Sequence, residues 1–154
     1  MRPTEQERTL LSDGGASSVA SFSFPRHERL HLKREVDALF AEGRRAFVFP
    51  YRLTYRIIAA PAGEGGVAMM PIVPKRLFKH AVDRNRNKRR LRAAFRLQVG
   101  ALRELARQRQ VRVHLAFLLI AHEEVEYARL HASVGRLLGQ VAKEVQRGAR
   151  GDAL

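Results

Sequence analysis

The chain has 154 residues, of which 45% are hydrophobic, and carries 29 Lys and Arg against 15 Asp and Glu, for a formal net charge of +14. A chain of this size can bury one ordinary core, so we expect a single domain. It has no cysteine, which excludes a disulfide, a thiolate nucleophile and a cysteine zinc site. No apolar run reaches about 18 residues and the N-terminus lacks a hydrophobic signal core, so we expect a cytoplasmic protein without a membrane partner.

The first part of the chain divides into a tail and a helix. Residues 1–24 are rich in Ser, Gly and Ala without periodicity, which predicts a flexible N-terminal tail, followed by a domain over residues 25–147. Leu32, Val36, Leu39 and Phe40 then recur at helical spacing up to Gly43. Glycine is the usual residue just past a helix end, so Gly43 is expected to cap this first helix.

From Phe47 the hydrophobic period changes to two, which predicts a strand. Proline cannot donate to a sheet ladder, so we expect an interruption at Pro50. The segment PAGEGG (residues 61–66) is typical of a turn and leads into a second predicted strand, Val67 to Val73. The first strand would place on one face Phe47, Phe49, Tyr51, Leu53, Tyr55 and Ile57.

Residues 75–96, KRLFKHAVDRNRNKRRLRAAFR, hold ten basic residues and one acid, Asp83. Nine of the fourteen net positive charges therefore lie in this short segment. So strong a local field favours a polyanion, and nucleic acid is the common cytosolic one. Arginine supplies 24 of the 29 basic residues, and its planar fork binds phosphate oxygens in pairs.

Helical spacing divides the basic segment into two faces. Leu91, Ala94, Phe95 and Gln98 fall on one stripe, which could dock on a core, while Asn85, Arg89, Arg92 and Arg96 fall on another. A charged helix face is commonly just solvated. On such a face acidic side chains normally stand three or four residues from basic ones. Acids are missing here, so binding of an external anion explains the row of basic residues better than solvation does.

The last third of the chain predicts a strand and a helix. Val111 to Ala121 is a strongly apolar strand, and Gly148 begins a predicted C-terminal tail over residues 148–154. The order helix, strands, helix, strand, helix favours an α+β fold with a single mixed sheet and helices packed mainly on one face. The final helix would carry on one stripe Leu130, Val134, Leu137, Leu138, Val141 and Val145.

The basic helix resembles the RNR motif of the bacterial ribonuclease P protein subunit, R-N-x-x-K-R-x-x-R-x-x-F-R. The resemblance extends upstream to RLHLKREVDALFAEGRR (residues 29–45), with its R-L, Val36, Phe40 and Gly43, and downstream through the last strand and helix. It covers roughly residues 26–147. The motif residues are Arg84, Asn85, Arg86, Lys88, Arg89, Arg92, Ala94, Phe95 and Arg96.

This resemblance implies a fold and a function. The fold would be an α-β-β-β-α-β-α sandwich, similar to some ribosomal proteins, with a left-handed crossover through the basic helix. The protein would bind the catalytic RNA of ribonuclease P and the 5′ leader of precursor tRNA, and would assist endonucleolytic removal of that leader. The RNA subunit would carry the chemistry, with magnesium bound mainly through RNA, and no dedicated protein partner is expected.

The resemblance also implies two groups of site residues. The family's leader cleft would be lined by its first helix with part of the sheet, where rings can stack on unpaired bases; these residues are Lys33, Val36, Phe40, Tyr51 and Tyr55. The catalytic RNA would be contacted by Arg84, Asn85, Arg86, Lys88, Arg89, Arg92, Arg96, Lys75 and Arg76.

The chain departs from the family pattern next to the motif. Lys79 stands where a glycine is usual, Leu77 replaces a common basic residue, and Pro71 and Pro74 interrupt an apolar run. The loop over residues 71–80 is therefore expected to have its own shape. Val36 occupies a position often held by phenylalanine, which would remove one stacking ring from the leader cleft.

No catalytic constellation is visible in the sequence. Protein nucleases commonly use carboxylates around metal ions or a histidine pair, yet Asp83 is the only acid between Gly65 and Arg103. The cluster Glu123, Glu124 and Glu126 is explained by the start of a helix, where acids are favourable. The six histidines have no metal-ligand spacing and no Gly-rich phosphate loop is present, so we predict no catalytic residue and no metal site.

Two other functions fit parts of the sequence. A general RNA-binding or ribosome-associated protein would use the same charges without a tRNA substrate, and binding that depends on the leader would distinguish the two. A helix-turn-helix DNA-binding module is disfavoured because Leu91 and Phe95 tie the basic helix to one core and no second short helix precedes it.

Overall fold

A computed structural model describes residues 28–151 of the protein, and side chains are described up to residue 148. The predicted flexible tail over residues 1–24 lies outside the described residues, as do residues 152–154 of the predicted C-terminal tail. In chain order the elements are α1 (Lys33–Glu42), β1 (Arg44–Val48), β2 (Tyr51–Ala59), β3 (Gly66–Ile72), α2 (Ala81–Gln98), α3 (Gly100–Arg109), β4 (Val111–Leu119) and α4 (Tyr127–Gly151).

The four strands form one mixed sheet in the order β1-β2-β4-β3. β1 pairs antiparallel with β2, and β2 pairs antiparallel with β4, with Leu53 opposite Phe117. β3 lies at the edge and runs parallel to β4, with Met69 opposite Leu115. A parallel pair needs a long crossover connection, and α2 with α3 supplies it. The predicted single mixed sheet is confirmed.

Three helices, α2, α3 and α4, pack on one face of the sheet, which we call the helical face. The predicted apolar stripe of α4, from Leu130 to Val145, is buried there. Phe117 of β4 meets Tyr51 edge to face at 5.8 Å between ring centroids, and Phe95 of α2 at 6.3 Å. Rings at such distances and angles contribute favourably beyond the apolar area that they bury. The core therefore fixes α2 firmly against the sheet.

The opposite face of the sheet, which we call the open face, carries only α1 among the described helices. Leu39 of α1 is fully buried against Leu30, Ala68 and Ala116, in a cluster smaller than the main core. The predicted cap at Gly43 is confirmed, since its N–H donates to the carbonyl of Leu39 at 2.8 Å. A glycine is required there by close approach, because a Cβ would lie 2.3 Å from that carbonyl oxygen.

The segment from Phe47 to Ile57 differs from the interrupted strand that its alternation predicts. The chain reverses at Phe49 and Pro50, joined by a cis peptide bond, so β1 and β2 form an antiparallel hairpin with Val48 opposite Tyr51. Cross-strand partners share a face. Phe47, opposite Arg52, therefore lies on the open face, whereas Tyr51 lies on the helical face.

Two helix boundaries also differ from the predictions. The crossover contains a second helix, α3, which follows α2 after a break at Val99. The N–H of Val99 still donates to the carbonyl of Phe95. The last helix continues to Gly151 instead of ending before Gly148. Glycine lowers helix propensity by about 1 kcal/mol but does not forbid a helical conformation.

Candidate nucleic-acid interface

The basic helix α2 is held by the apolar stripe that its spacing predicts. Leu91, Ala94 and Phe95 are buried, and Gln98 donates from Nε2 to the carbonyl of His131 on α4 at 2.9 Å. Asn87 continues the stripe one turn earlier and is also buried, with its amide donating to the carbonyl of Asp83 at 2.9 Å. Its spacing of four and eight residues from Leu91 and Phe95 is the sequence signal for this position. The buried stripe turns the remaining faces of α2 outward.

The predicted arginine stripe lines a pocket on the protein surface. Arg89, Arg92 and Arg96 of α2 surround it together with Arg29, and its volume is about 390 Å³. We call these four residues the arginine pocket. Arg29 precedes α1 and is separated from the motif by more than fifty residues, so helical periodicity could not have placed it there. Its only signal in the sequence is the R-L pair at the start of the family resemblance.

The electrostatics of the arginine pocket favour an anion. Partial burial lowers the pKa of Arg92, and the charges of Arg29 and Arg96 lower it further. An arginine side chain nevertheless keeps its charge in proteins, so the repulsion persists in the folded state. A phosphate group in the pocket would relieve both the repulsion and the desolvation, through paired hydrogen bonds from the guanidinium groups.

Two other motif arginines contact the protein itself. Arg84 donates to the carbonyls of Phe78 and Lys79, at 2.9 and 2.7 Å, and so ties α2 to the loop before it. Arg86 is paired with Glu124 at 2.6 Å and with Asp83 at 3.5 Å. These contacts give Arg84 and Arg86 structural roles, and they separate both residues from the arginine pocket.

Arg90 shows how the same helix is joined to the segment before α4. It donates to the carbonyl of Val125, and its guanidinium lies 5.9 Å from the centroid of the Tyr127 ring. A cation over an aromatic face is attractive. Arg90 is therefore a residue that fixes the position of α2, which its charge alone does not reveal.

The remaining predicted RNA contacts lie around this site. Asn85 is exposed one turn before Arg89 on the same stripe, and Lys88 is half-buried. Lys75 and Arg76 are exposed in the turn that follows Pro74, whose carbonyl accepts from Leu77 at 3.1 Å and from Phe78 at 3.2 Å. The loop over residues 71–80 thus presents both basic side chains outward.

On the open face, α1 offers the side chains expected for a leader cleft. Phe40 is 42% exposed although it neighbours the fully buried Leu39. Val36 is partly buried against the cluster of Leu30, Ala68 and Ala116, and Lys33 is exposed and paired with Asp37 at 2.9 Å. An exposed ring beside a basic side chain is suited to an unpaired nucleotide.

The assignment of Tyr51 and Tyr55 to the leader cleft is wrong. Their rings are 1% and 7% exposed and lie on the helical face, within the main core. Burial raises the pKa of the Tyr51 hydroxyl, which has no hydrogen-bond partner among the described residues. The alternation correctly groups these rings on one face of β2, but that face is the one covered by helices.

The hairpin β1-β2 supplies other side chains to the open face. Phe47 is 56% exposed and stands opposite Arg52, which is also exposed. Arg45 stands opposite Thr54 in the next pair on the same face. The alternation predicted Phe47 on the same face as Tyr51 and Tyr55, but the reversal at Pro50 places Phe47 on the opposite face of the sheet.

Among residues 28–148, no three His, Asp or Glu side chains come together in a way that could hold a metal ion. The acids at Glu123, Glu124 and Glu126 border an open pocket with Phe49 and Arg129, whose guanidinium lies 4.7 Å from the Phe49 ring centroid. Within the described part of the chain, no helix has the length and apolar character needed to cross a membrane.

The chain is similar to proteins of one family. The family model described as Ribonuclease P matches residues 24–142. Proteins named "Ribonuclease P protein component" from two strains of Porphyromonas gingivalis are 31% and 32% identical to it, over 86% of this chain and 96% of each relative.

Solved structures agree in fold. The ribonuclease P protein of Thermotoga maritima has a TM-score of 0.57 at 20% identity, covering 73% of this chain and 96% of that one. That of Staphylococcus aureus has a TM-score of 0.56 at 14% identity, covering 74% and 94%. With the match over most of the chain and the basic helix in place, the chain belongs to the ribonuclease P protein family.

Proposed function

We propose that this chain, as a subunit of ribonuclease P, binds the catalytic RNA through α2 and the 5′ leader of precursor tRNA through α1 and the open face. Members of the family are subunits of a ribonucleoprotein endonuclease that processes tRNA, and catalysis belongs to the RNA. The observation that carries the proposal is the arginine stripe of α2, which is turned away from the core and lines a pocket of arginines.

The RNA-binding surface is proposed to centre on Arg89, Arg92 and Arg96, with Asn85 and Lys88 beside them. Each arginine can offer two N–H groups to the oxygens of one phosphate. Arg84 and Arg86 would act mainly by holding α2 in place through their contacts with Phe78, Lys79 and Glu124. Lys75 and Arg76 would extend the surface along the exposed loop.

The leader surface is proposed to combine Lys33, Val36 and Phe40 of α1 with Phe47 and Arg52 of the hairpin. Both rings are substantially exposed, and each stacked base is worth roughly 1 to 3 kcal/mol. Arginine and lysine side chains beside the rings would neutralise leader phosphates. Stacking and phosphate contacts tolerate any base sequence, as a subunit acting on many precursor tRNAs requires.

Magnesium is proposed to be bound mainly through the RNA partner. Asp83, the one acid of α2, and Glu124 are both engaged with Arg86, so they are poor candidates for a metal site of the protein. The proposed compartment is the cytoplasm, where a tRNA precursor would be met.

Binding of tRNA with and without a leader tests the proposal. The holoenzyme assembled with this chain should bind precursor tRNA more tightly than mature tRNA, and the catalytic RNA alone should show a smaller difference. A general RNA-binding protein, the second candidate, would raise the affinity for both tRNAs equally. That outcome would reject a role in leader recognition.

A further inference from the structure

The arginine pocket joins two parts of the chain that are distant in sequence. Arg29 enters it from the short segment before α1, and the other three residues come from α2. The segment is held beside β3 by a parallel bridge between Arg29 and Met69 and by the N–H of Leu30 donating to the Met69 carbonyl at 2.9 Å. The backbone at Arg29 is therefore part of the sheet edge.

The neighbours of Arg29 anchor it on both sides. Leu30 is 5% exposed, in the cluster under α1, and Glu28 is 2% exposed. Both carboxylate oxygens of Glu28 accept from Arg103 of α3, at 2.5 and 2.8 Å. Glu28 and Leu30 are thus buried on either side of Arg29, whereas Arg29 itself is exposed. The backbone at Arg29 is therefore already ordered, which lowers the entropic cost of binding at this position.

The described residues that line the pocket give it a positive charge. Glu28 is the acid adjacent to Arg29 in sequence, and its carboxylate is committed to Arg103. The described lining of the pocket consists of arginines. A site of about 390 Å³ lies within the size range of small-ligand pockets, and a cluster of planar guanidinium groups matches the oxygens of one phosphate.

We propose that Arg29 completes a socket, with Arg89, Arg92 and Arg96, that holds a single backbone phosphate of RNA. The segment before α1 would then belong to the RNA interface, and Arg29 would act as a phosphate ligand outside the RNR helix. This inference rests on the proposed function, because it assigns the phosphate to an RNA bound by α2. Its test separates the two RNAs that could supply the phosphate, the catalytic RNA and the precursor tRNA.

The first experiment measures the affinity of the full-length chain for catalytic RNA over a range of salt. Arg29→Ala should weaken binding about tenfold and lower the logarithmic salt slope by about one. Arg29→Lys should keep the slope but recover only part of the affinity, because an ammonium lacks the fork. Arg109→Ala, at the exposed end of α3, is the charge-matched control and should change little.

A double variant tests whether the arginines share one phosphate. Losses from Arg29→Ala and Arg92→Ala should be less than additive when combined, since residues on a shared partner are coupled. Holoenzyme affinity for precursor tRNA, measured with the same variants at saturating protein, identifies the source. If the variants weaken only the binding of precursor tRNA, the phosphate belongs to the precursor. If they weaken the binding of catalytic RNA, the phosphate belongs to the RNA subunit.

The outcomes distinguish the socket from the proposed function. If Arg29→Ala binds both RNAs like the wild type while Arg89→Ala is impaired, the socket is refuted and the RNA-binding role of α2 stands. If Arg89→Ala is also unimpaired, the proposed function itself fails. Thermal unfolding identifies any variant that does not fold. In that case Arg29→Lys decides alone, because full affinity with lysine would contradict phosphate binding by the guanidinium fork.

Discussion

Individual arginines of α2 differ in what they contact, although the sequence presents them as one run of charge. Arg86 and Arg90 are engaged with Glu124 and with the carbonyl of Val125, whereas Arg89 and Arg96 line a pocket on the outer side of the helix. Substitution of the first pair should therefore affect the position of the helix. Substitution of the second should affect the binding of an anion.

Arg89 gives the most direct test of the binding face. Arg89→Ala should weaken binding to the catalytic RNA and lower the logarithmic salt slope by about one, because one fewer phosphate is neutralised. The free energy of unfolding should hardly change, since Arg89 is exposed. Arg136→Ala, exposed on α4, removes an equal charge as the control. Unchanged affinity and slope for Arg89→Ala would mean that this face is merely solvated.

Phe40 and Leu39 separate recognition from packing on α1. Phe40→Ala should weaken binding of precursor tRNA by about 1 to 3 kcal/mol and hardly affect mature tRNA, because Phe40 is 42% exposed and its ring is available for stacking. Leu39→Ala, at a fully buried neighbour, should instead cost about 2 to 5 kcal/mol of folding stability. Thermal unfolding, measured together with the affinities for precursor and mature tRNA, checks both variants. Equal losses for both tRNAs with a large drop in stability would remove Phe40 from the leader surface.

At the scale of elements, periodicity predicted which residues α2 and α4 bury but not how the strands turn. The stripes of α2 and α4 were read correctly because burial of one helix face follows directly from spacing. The hairpin was missed because alternation continues through Pro50, so a reversal and an interruption have the same pattern. As a result, the sequence assigned Tyr51 to the leader cleft, whereas in the structure Phe47 lies on the open face. Arg29 was missed for a different reason, since pairing with Met69 is a long-range contact without a local signal.

The open face of the sheet also contains a buried histidine beneath α1. His114 is 2% exposed, and within the described part of the chain neither of its ring nitrogens has a hydrogen-bond partner. Burial lowers its pKa, Glu35 opposes this, and Arg112 and Arg56 lower the pKa further. The unfolded chain, with a histidine pKa of about 6.5, therefore binds the proton more readily than the folded one. Stability should be lost as the pH falls below about 6.5.

The pH dependence can be assigned by substitution. His114→Leu should reduce the loss of stability between about pH 7 and pH 5, because the proton uptake on unfolding at this site is removed. Denaturant unfolding at several pH values measures this directly. His122→Ala, at an exposed position, should retain the wild-type pH dependence. An identical pH dependence in His114→Leu and the wild type would show that His114 is not responsible.

At the scale of the whole molecule, basic side chains are exposed on two surfaces, the outer side of α2 and the open face. The basic face of α2 and the open face carry arginines and exposed rings, while no three His, Asp or Glu side chains in residues 28–148 form a metal-binding group. The sequence already shows the concentration of positive charge on the basic helix. It could not predict that two surfaces, on opposite sides of the sheet, would present aromatic or basic residues outward.

The protein without RNA should cleave nothing. Purified chain freed of RNA should leave precursor tRNA intact even with magnesium, because no three His, Asp or Glu side chains among the described residues could hold a metal ion for phosphodiester cleavage. Gel analysis of labelled precursor tRNA over a long incubation measures this. Cleavage that persists after nuclease treatment of the protein sample would place an active site on the chain.

Cleavage of precursor tRNA by the catalytic RNA at low magnesium tests the central claim most directly. Neutralisation of phosphates by α2 and capture of the leader by α1 and the open face should together replace part of the magnesium requirement. Adding the chain should therefore raise the cleavage rate strongly at low magnesium and less at high magnesium, with the cut at the mature 5′ end. Equal rates with and without the chain at every magnesium concentration would contradict its assignment as the working protein subunit.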